Sequence, residues 1–331
     1  MKTLNYTCLL YIAFKTNLKQ IFGIIFLFTF LFVWGGVGCV QTTNEYLPEP
    51  VLGNGDLLPP PEIVKPEIII SPHKLRGGLA FSDNGDLYIA NFKKDGSIGK
   101  LSKESFKKPE VFIDLTEWIS SIGEFSASAS GLCFDKNGRL LVVDAGTGKL
   151  LRISPRANKL EVLADSYDGY RFKSVEDLAI APNGDIFVSS PLSGTIYRIR
   201  PDIGYVGILN DDLVRVVGLA ISPDGKQLIA TEPDASRVVV YDIPEDLILA
   251  DSWTLVDFSP SGIEPRSAEF DDRGRLYLGL GNLNEIRVFD LELGLEIERY
   301  NVDTEADSVV YHKGSIYVGG YDKVIRLRLR D

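Results

Sequence analysis

The stretch Gly78 to Asn91, GLAFSDNGDLYIAN, is a short apolar run, a tight turn and a second apolar run, and the chain repeats it five more times. The copies are GLCFDKNGRLLVVD from Gly131, DLAIAPNGDIFVSS from Asp177, GLAISPDGKQLIATE from Gly218, SAEFDDRGRLYLGL from Ser267 and SVVYHKGSIYVGG from Ser308. Asn84-Gly85, Asn137-Gly138, Asn183-Gly184 and Asp224-Gly225 are dipeptides that tolerate the positive φ hairpin turns require, and Arg273-Gly274 and Lys313-Gly314 are weaker versions. A third β pattern follows each hairpin (SIGKLS, KLLRIS, TIYRIR, RVVVYDI, EIRVFDL, VIRLRL). A fourth follows the first five: PEVFIDL, KLEVLAD, YVGILN, WTLVDF and LEIERYNV. Helical periodicity of useful length is absent after Lys65.

The turn glycines 85, 138, 184, 225, 274 and 314 are spaced by 53, 46, 41, 49 and 40 residues. Four strands at that period make a propeller blade, so the expected fold is an all-β, six-bladed β-propeller of four-stranded antiparallel blades over residues 66–331. The sixth copy has three strands, and the orphan strand PEIIIS from Pro66 is expected to complete it from outside, which removes the open edge between first and last blades.

Composition narrows the chemistry. The chain has 331 residues, 45% hydrophobic and 24% charged, enough for a substantial core. A net charge of -11 works against binding nucleic acid or an anionic lipid surface. Two histidines, His73 and His312, and three cysteines, Cys8, Cys39 and Cys133, leave little room for zinc, haem or histidine-triad chemistry. Carboxylate, amide, hydroxyl and arginine chemistry remains. Cys133, in an apolar strand pattern, reads as a small buried hydrophobe.

Ahead of the repeats, residues 1–39 read as an export segment: IFGIIFLFTFLFVW from Ile21 follows Lys15 and Lys19 and precedes GGVGC. Val37-Gly38-Cys39 resembles the end of a bacterial lipoprotein signal, with Cys39 the lipidated residue, although Gly36 departs from that pattern. An uncleaved membrane anchor and soluble secretion are the alternatives, and all three put the propeller outside the cytoplasm. Residues 40–65, with Pro59 to Pro61 in a row, read as an extended spacer.

The hairpins resemble those of six-bladed propellers that include the gluconolactonase and regucalcin family, strictosidine-synthase-like proteins and NHL-repeat proteins. The resemblance implies fold more than function, because propellers host unrelated activities. In the lactonase family it implies calcium or another divalent metal at the channel mouth. Such a metal is held by Glu, Asn, Asn and Asp just before the innermost strands of blades one, three, four and five. Here those positions are Gly77, Glu176, Val217 and Arg266, so no metal and no cofactor is expected, calcium belonging only to the lactonase alternative.

Over six blades the same ring position reads Gly77, Ser130, Glu176, Val217, Arg266 and Asp307. One arginine between carboxylates fits a salt-bridged plug or a site for a small anionic or polar ligand, with Ser130, Glu176, Arg266 and Asp307 at the mouth. The ends of the second strands form a further tier, in which Asp144 and Glu232 either cap loops or, like Glu176, serve as a general base. Two long loops put Trp118, Phe125, Tyr167, Tyr170 and Phe172 on the rim of this face. The expectation is a membrane-tethered module binding a protein, peptide, glycan or small polar ligand at its channel face, with no nucleic acid and membrane contact only through the N-terminus. The alternative is a lactone or ester hydrolase with an altered site.

Overall fold

The computed structural model describes residues 51–52, 65–71, 77–104, 106, 108–245 and 250–329. Six four-stranded antiparallel sheets follow one another around a central channel. In blade one the strands are Leu79–Phe81, Leu87–Ala90, Ser97–Leu101 and Glu110–Asp114, in order from channel to periphery. Blades two to five repeat that order, with innermost strands Ala129–Phe134, Leu178–Ile180, Leu219–Ile221 and Pro265–Phe270. Blade six contributes Ser308–His312, Ser315–Gly319 and Val324–Arg328, and Glu67–Ile70 is its outermost strand. The closure expected from the orphan strand is therefore present, with Glu67 opposite Arg326 and Ile68 opposite Ile325.

The core lies between blades. Alternate side chains of a strand face opposite neighbours, and blade two shows the consequence. Leu140 and Val142 pack toward blade one with Tyr88 and Ile98, whereas Leu141 and Val143 pack toward blade three with Leu178 and Ile186. The interface between blades six and one holds Leu79, Leu87, Ile89, Leu101, Tyr317 and Val324, with Ile69 and Ile70 of the closing strand against it.

Five hairpins use one turn. The glycine N–H donates to the carbonyl three residues earlier (Gly85 to Ser82, 2.7 Å; Gly138 to Asp135, 2.9 Å), and the glycine takes positive φ while the residue before it (Asn, Asp or, in blade five, Arg273) does not. Blade six differs: His312 pairs directly with Ser315, and both Lys313 (φ 47°) and Gly314 (φ 71°) are left-handed. One of the two turns with the weaker sequence signature thus takes positive φ at both positions.

One segment carries a pairing that was not expected, and one expectation is corrected. Within the segment read as a spacer, Val51–Leu52 pairs in parallel with Val256 and Asp257 on the outer strand of blade four. Cys133 is not deep in a core: half-buried, it packs beside the cluster between blades two and three and lines the channel, where burial, with Glu269 and Asp177 nearby, pushes its thiol up to about 12. Cys39 and the apolar stretch before it, like His73, lie outside the described residues, in which no helix is long and apolar enough to cross a membrane.

Candidate functional site

Backbone hydrogen bonds around the channel fix the ring. Gly78 N–H donates to the Ser130 carbonyl (2.7 Å), and Gly131 N–H to that of Glu176 (2.8 Å). The Ser189 hydroxyl donates to the Val217 carbonyl (2.7 Å), and that of Thr231 to Arg266 (3.3 Å). Four of the six ring residues are thus held by their carbonyls to the preceding blade. Ser267 hydroxyl to Ala306 carbonyl (3.2 Å) and Leu79 N–H to Ser308 hydroxyl (3.1 Å) complete the circuit. Gly77, Ser130, Glu176, Val217, Arg266 and Asp307 all line one channel of about 1050 Å³, so the ring read from the sequence exists.

At the mouth, the Arg266 guanidinium lies 3.0 Å from a Glu264 oxygen and 3.8 Å from an Asp307 oxygen, and its side chain is 38% exposed. Its Nε is buried and has no hydrogen-bond partner among the described residues. Glu176 is engaged differently: no hydrogen bond or ion pair holds its carboxylate among the described residues. Burial raises its pKa above the ordinary carboxylate value; Arg215 and Arg266 pull it back and Asp307 adds to it.

The second tier is spent on structure. Asp144 accepts the N–H groups of Ser128 (2.8 Å), Gly146 (3.1 Å) and Thr147 (3.2 Å), together with the Thr147 hydroxyl. Glu232 accepts Val214 N–H (2.7 Å) and pairs with Arg237. At the same level of blades one and three, the Asn91 amide donates to the Ala129 carbonyl (2.6 Å) and accepts its N–H (3.1 Å), and the Ser190 hydroxyl donates to the Lys173 carbonyl. Each of these groups clamps a loop leading into an innermost strand, and of the two roles expected for Asp144 and Glu232 the geometry shows the loop cap.

Of the rim aromatics, Tyr170 (78% exposed), Phe125 (68%) and Trp118 (45%) stand in solvent and Tyr167 is at the margin. Phe172 does not belong to the rim. It is 5% exposed and stacks on Tyr197 with ring centroids 4.4 Å apart, inside the cluster between blades two and three.

Two channel carboxylates were missed from the sequence. Asp177 accepts Leu219 N–H (2.9 Å) from blade four, and burial pushes its pKa to about 7. Burial, with Asp177 adding to it, pushes Glu269 to about 8. The repeat carried the signal: Asp177 stands where three copies have Gly78, Gly131 and Gly218, and Glu269 where others have Ala80, Cys133, Ala179, Ala220 or Val310.

Residues 107–316 match the SMP-30/Gluconolactonase/LRE-like region, and the chain belongs to that family. It is 25% identical to a gluconolactonase of Zymomonas mobilis over 179 residues, 47% of this chain and 50% of that protein. It is 26% identical to strictosidine synthase-like protein 4 of Arabidopsis thaliana over 171 residues, 46% and 44% of the two chains. The chain thus matches about half the length of these curated relatives. Among solved structures, a gluconolactonase from Xanthomonas campestris superposes with a TM-score of 0.68 at 19% identity, over 83% of this chain and 99% of that one. A calcium-binding regucalcin from Agrobacterium tumefaciens gives 0.67 at 15% identity, over 82% and 98%. At these identities the structural likeness concerns the fold.

The divalent cation implied by the family resemblance does not fit these residues. Of Gly77, Glu176, Val217 and Arg266 only Glu176 offers a side-chain oxygen, and no group of three His, Cys, Asp or Glu side chains among the described residues could hold a metal. A divalent ion 4 Å from the Arg266 charge would be repelled by about 8 kcal/mol at an effective dielectric near 20.

Proposed function

We propose that the chain hydrolyses small lactones or esters at the channel mouth, with Glu176 as general base. The observation that carries this reading is the contrast at the site: Glu176 is a channel-lining carboxylate of raised pKa with no hydrogen bond or ion pair among the described residues, while Asp144 is taken up by three backbone N–H groups and a hydroxyl and Glu232 by one N–H and Arg237. Membership of the gluconolactonase-like family supports the reaction class. In the reaction, Glu176 takes a proton from water as the water oxygen bonds to the carbonyl carbon. The carbonyl electron pair moves onto oxygen, facing a positive charge at the mouth. Collapse re-forms the carbonyl and breaks the ring C–O bond, and the leaving oxygen receives the proton from Glu176, giving a hydroxy acid.

The test is turnover of a panel of small lactones and aryl esters by the wild type and Glu176→Gln. Hydrolysis by the wild type and its loss in the variant, with unchanged folding, is the expected result. No turnover, or equal turnover by both, overturns the reading.

A second reading, capture of a partner without turnover, is favoured by one observation: Trp118, Phe125 and Tyr170 are exposed on the loops of the channel face. It expects weaker capture on replacing Trp118 or Arg266, and indifference to both argues against this face. Export through residues 1–39 is proposed on sequence pattern alone; loss of labelled fatty acid in Cys39→Ala supports the tether and unchanged labelling refutes it.

A further inference from the structure

We propose that Arg266 is a cation built into the chain at the place where the family resemblance implies a divalent ion, and that Gly281 is the residue that admits it. The proposal deepens the hydrolase reading and rests on it for the role of the charge, but the binding behaviour it requires can be measured without any turnover.

Three observations converge. First, Arg266 is the ring residue of blade five, its carbonyl held by Thr231 and its side chain lining the channel. Its guanidinium keeps its charge at any working pH.

Second, the chain makes space for the side chain. A Cβ at Gly281 would lie 2.4 Å from Arg266 Cδ and 2.5 Å from Nε, and Gly281 is not among the glycines with positive φ. No turn requires glycine there; with Gly281 the arginine stem keeps its observed path, which a Cβ would force to shift. The other blades supply a comparison: the residue following the second-tier position is Phe92, Ala145, Pro191, Pro233 and Tyr321 in blades one, two, three, four and six, and glycine only in blade five. The blade that carries the arginine is the blade that dispenses with a side chain beneath it.

Third, the charge is braced. Glu264 at 3.0 Å and Asp307 at 3.8 Å flank the guanidinium, and the partly exposed side chain remains open to the mouth. Positive charge is thereby fixed beside Glu176, where a carbonyl oxygen gaining negative charge could be stabilised by N–H donors. This arrangement takes an uncharged lactone or ester and leaves no place for calcium.

The deciding experiment is a calcium titration of the full chain, followed by calorimetry and by thermal unfolding. The wild type should bind no stoichiometric calcium and show no calcium-dependent rise in Tm. Arg266→Asp, which leaves Glu176, Glu264 and Asp307 around a new carboxylate, should gain a rise of about 3 °C at calcium tenfold above its Kd. Arg266→Gln, which keeps the stem over Gly281, gives a response of the same sign and serves where the Asp variant does not fold. Stoichiometric calcium in the wild type, or no calcium response in either variant, overturns the proposal. Wild-type indifference to calcium with a responsive variant, alongside no turnover of any lactone or ester, upholds the arginine and removes the hydrolase reading instead.

Discussion

The two tiers of acidic residues on the channel face look interchangeable as residue types and are not. In the second tier, Asp144 faces three backbone N–H groups and a hydroxyl, and Glu232 faces Val214 N–H and Arg237. In the ring tier, Glu176 meets neither a hydrogen bond nor an ion pair among the described residues, and burial raises its pKa. The difference follows from strand position. Asp144 and Glu232, at the ends of second strands, sit under the loops leading into their own blades' innermost strands, where the N–H groups of Ser128 and Val214 need acceptors. A ring residue has its backbone held by the preceding blade, and its side chain lines the channel. One position stabilises the fold, and the other is available for chemistry.

The sharpest way to break this comparison is Asp144→Ala. It strands three N–H groups and should cost roughly 3 kcal/mol or more, read as a fall in the urea or thermal midpoint. A change below about 0.5 kcal/mol would mean the second tier is not structural. Glu176→Gln should do the reverse, leaving the midpoint unmoved while lactone turnover falls about 10²-fold or more. In the wild type the acid limb of kcat/KM should lie above the ordinary carboxylate range, because Glu176 must be deprotonated to act and its pKa is raised.

A smaller effect concerns Glu269. Its folded pKa of about 8 lies above the ordinary 4.5, so the folded chain holds a proton that the unfolded chain releases. The stability associated with that proton is complete below 4.5 and is lost as pH rises through about 8. Asp177 acts in the same direction up to about 7. Glu269→Gln should therefore flatten the decline of Tm between pH 5 and pH 8; an unchanged slope would remove Glu269 from the account. The smallest effect is expected at Phe125→Ser, within about 0.5 kcal/mol of the wild type, because an exposed ring contributes little to folding.

The fold was legible because each blade writes the same hairpin, and six copies average out local ambiguity. The ring was legible for the same reason, since Glu176, Arg266 and Asp307 share one position relative to their strands. Roles within the tiers were not, because whether a carboxylate meets N–H groups depends on loop paths of unequal length. Phe172 illustrates this: it lies in the same loop as Tyr170, yet turns inward onto Tyr197. Asp177 and Glu269 could have been found by asking which copies depart from the pattern. Gly281 could not, because its role exists only where the Arg266 stem crosses it. The Val51–Leu52 pairing was hidden by the surrounding prolines, which read as spacer.

The most direct test of the central claim is the rate of hydrolysis of a small uncharged lactone by the wild type after exhaustive chelation, set beside Glu176→Gln under the same conditions. The account predicts that chelated wild type keeps its full rate and that the variant falls to background. A wild-type rate that disappears on chelation and returns with calcium, or a variant as active as the wild type, would contradict it.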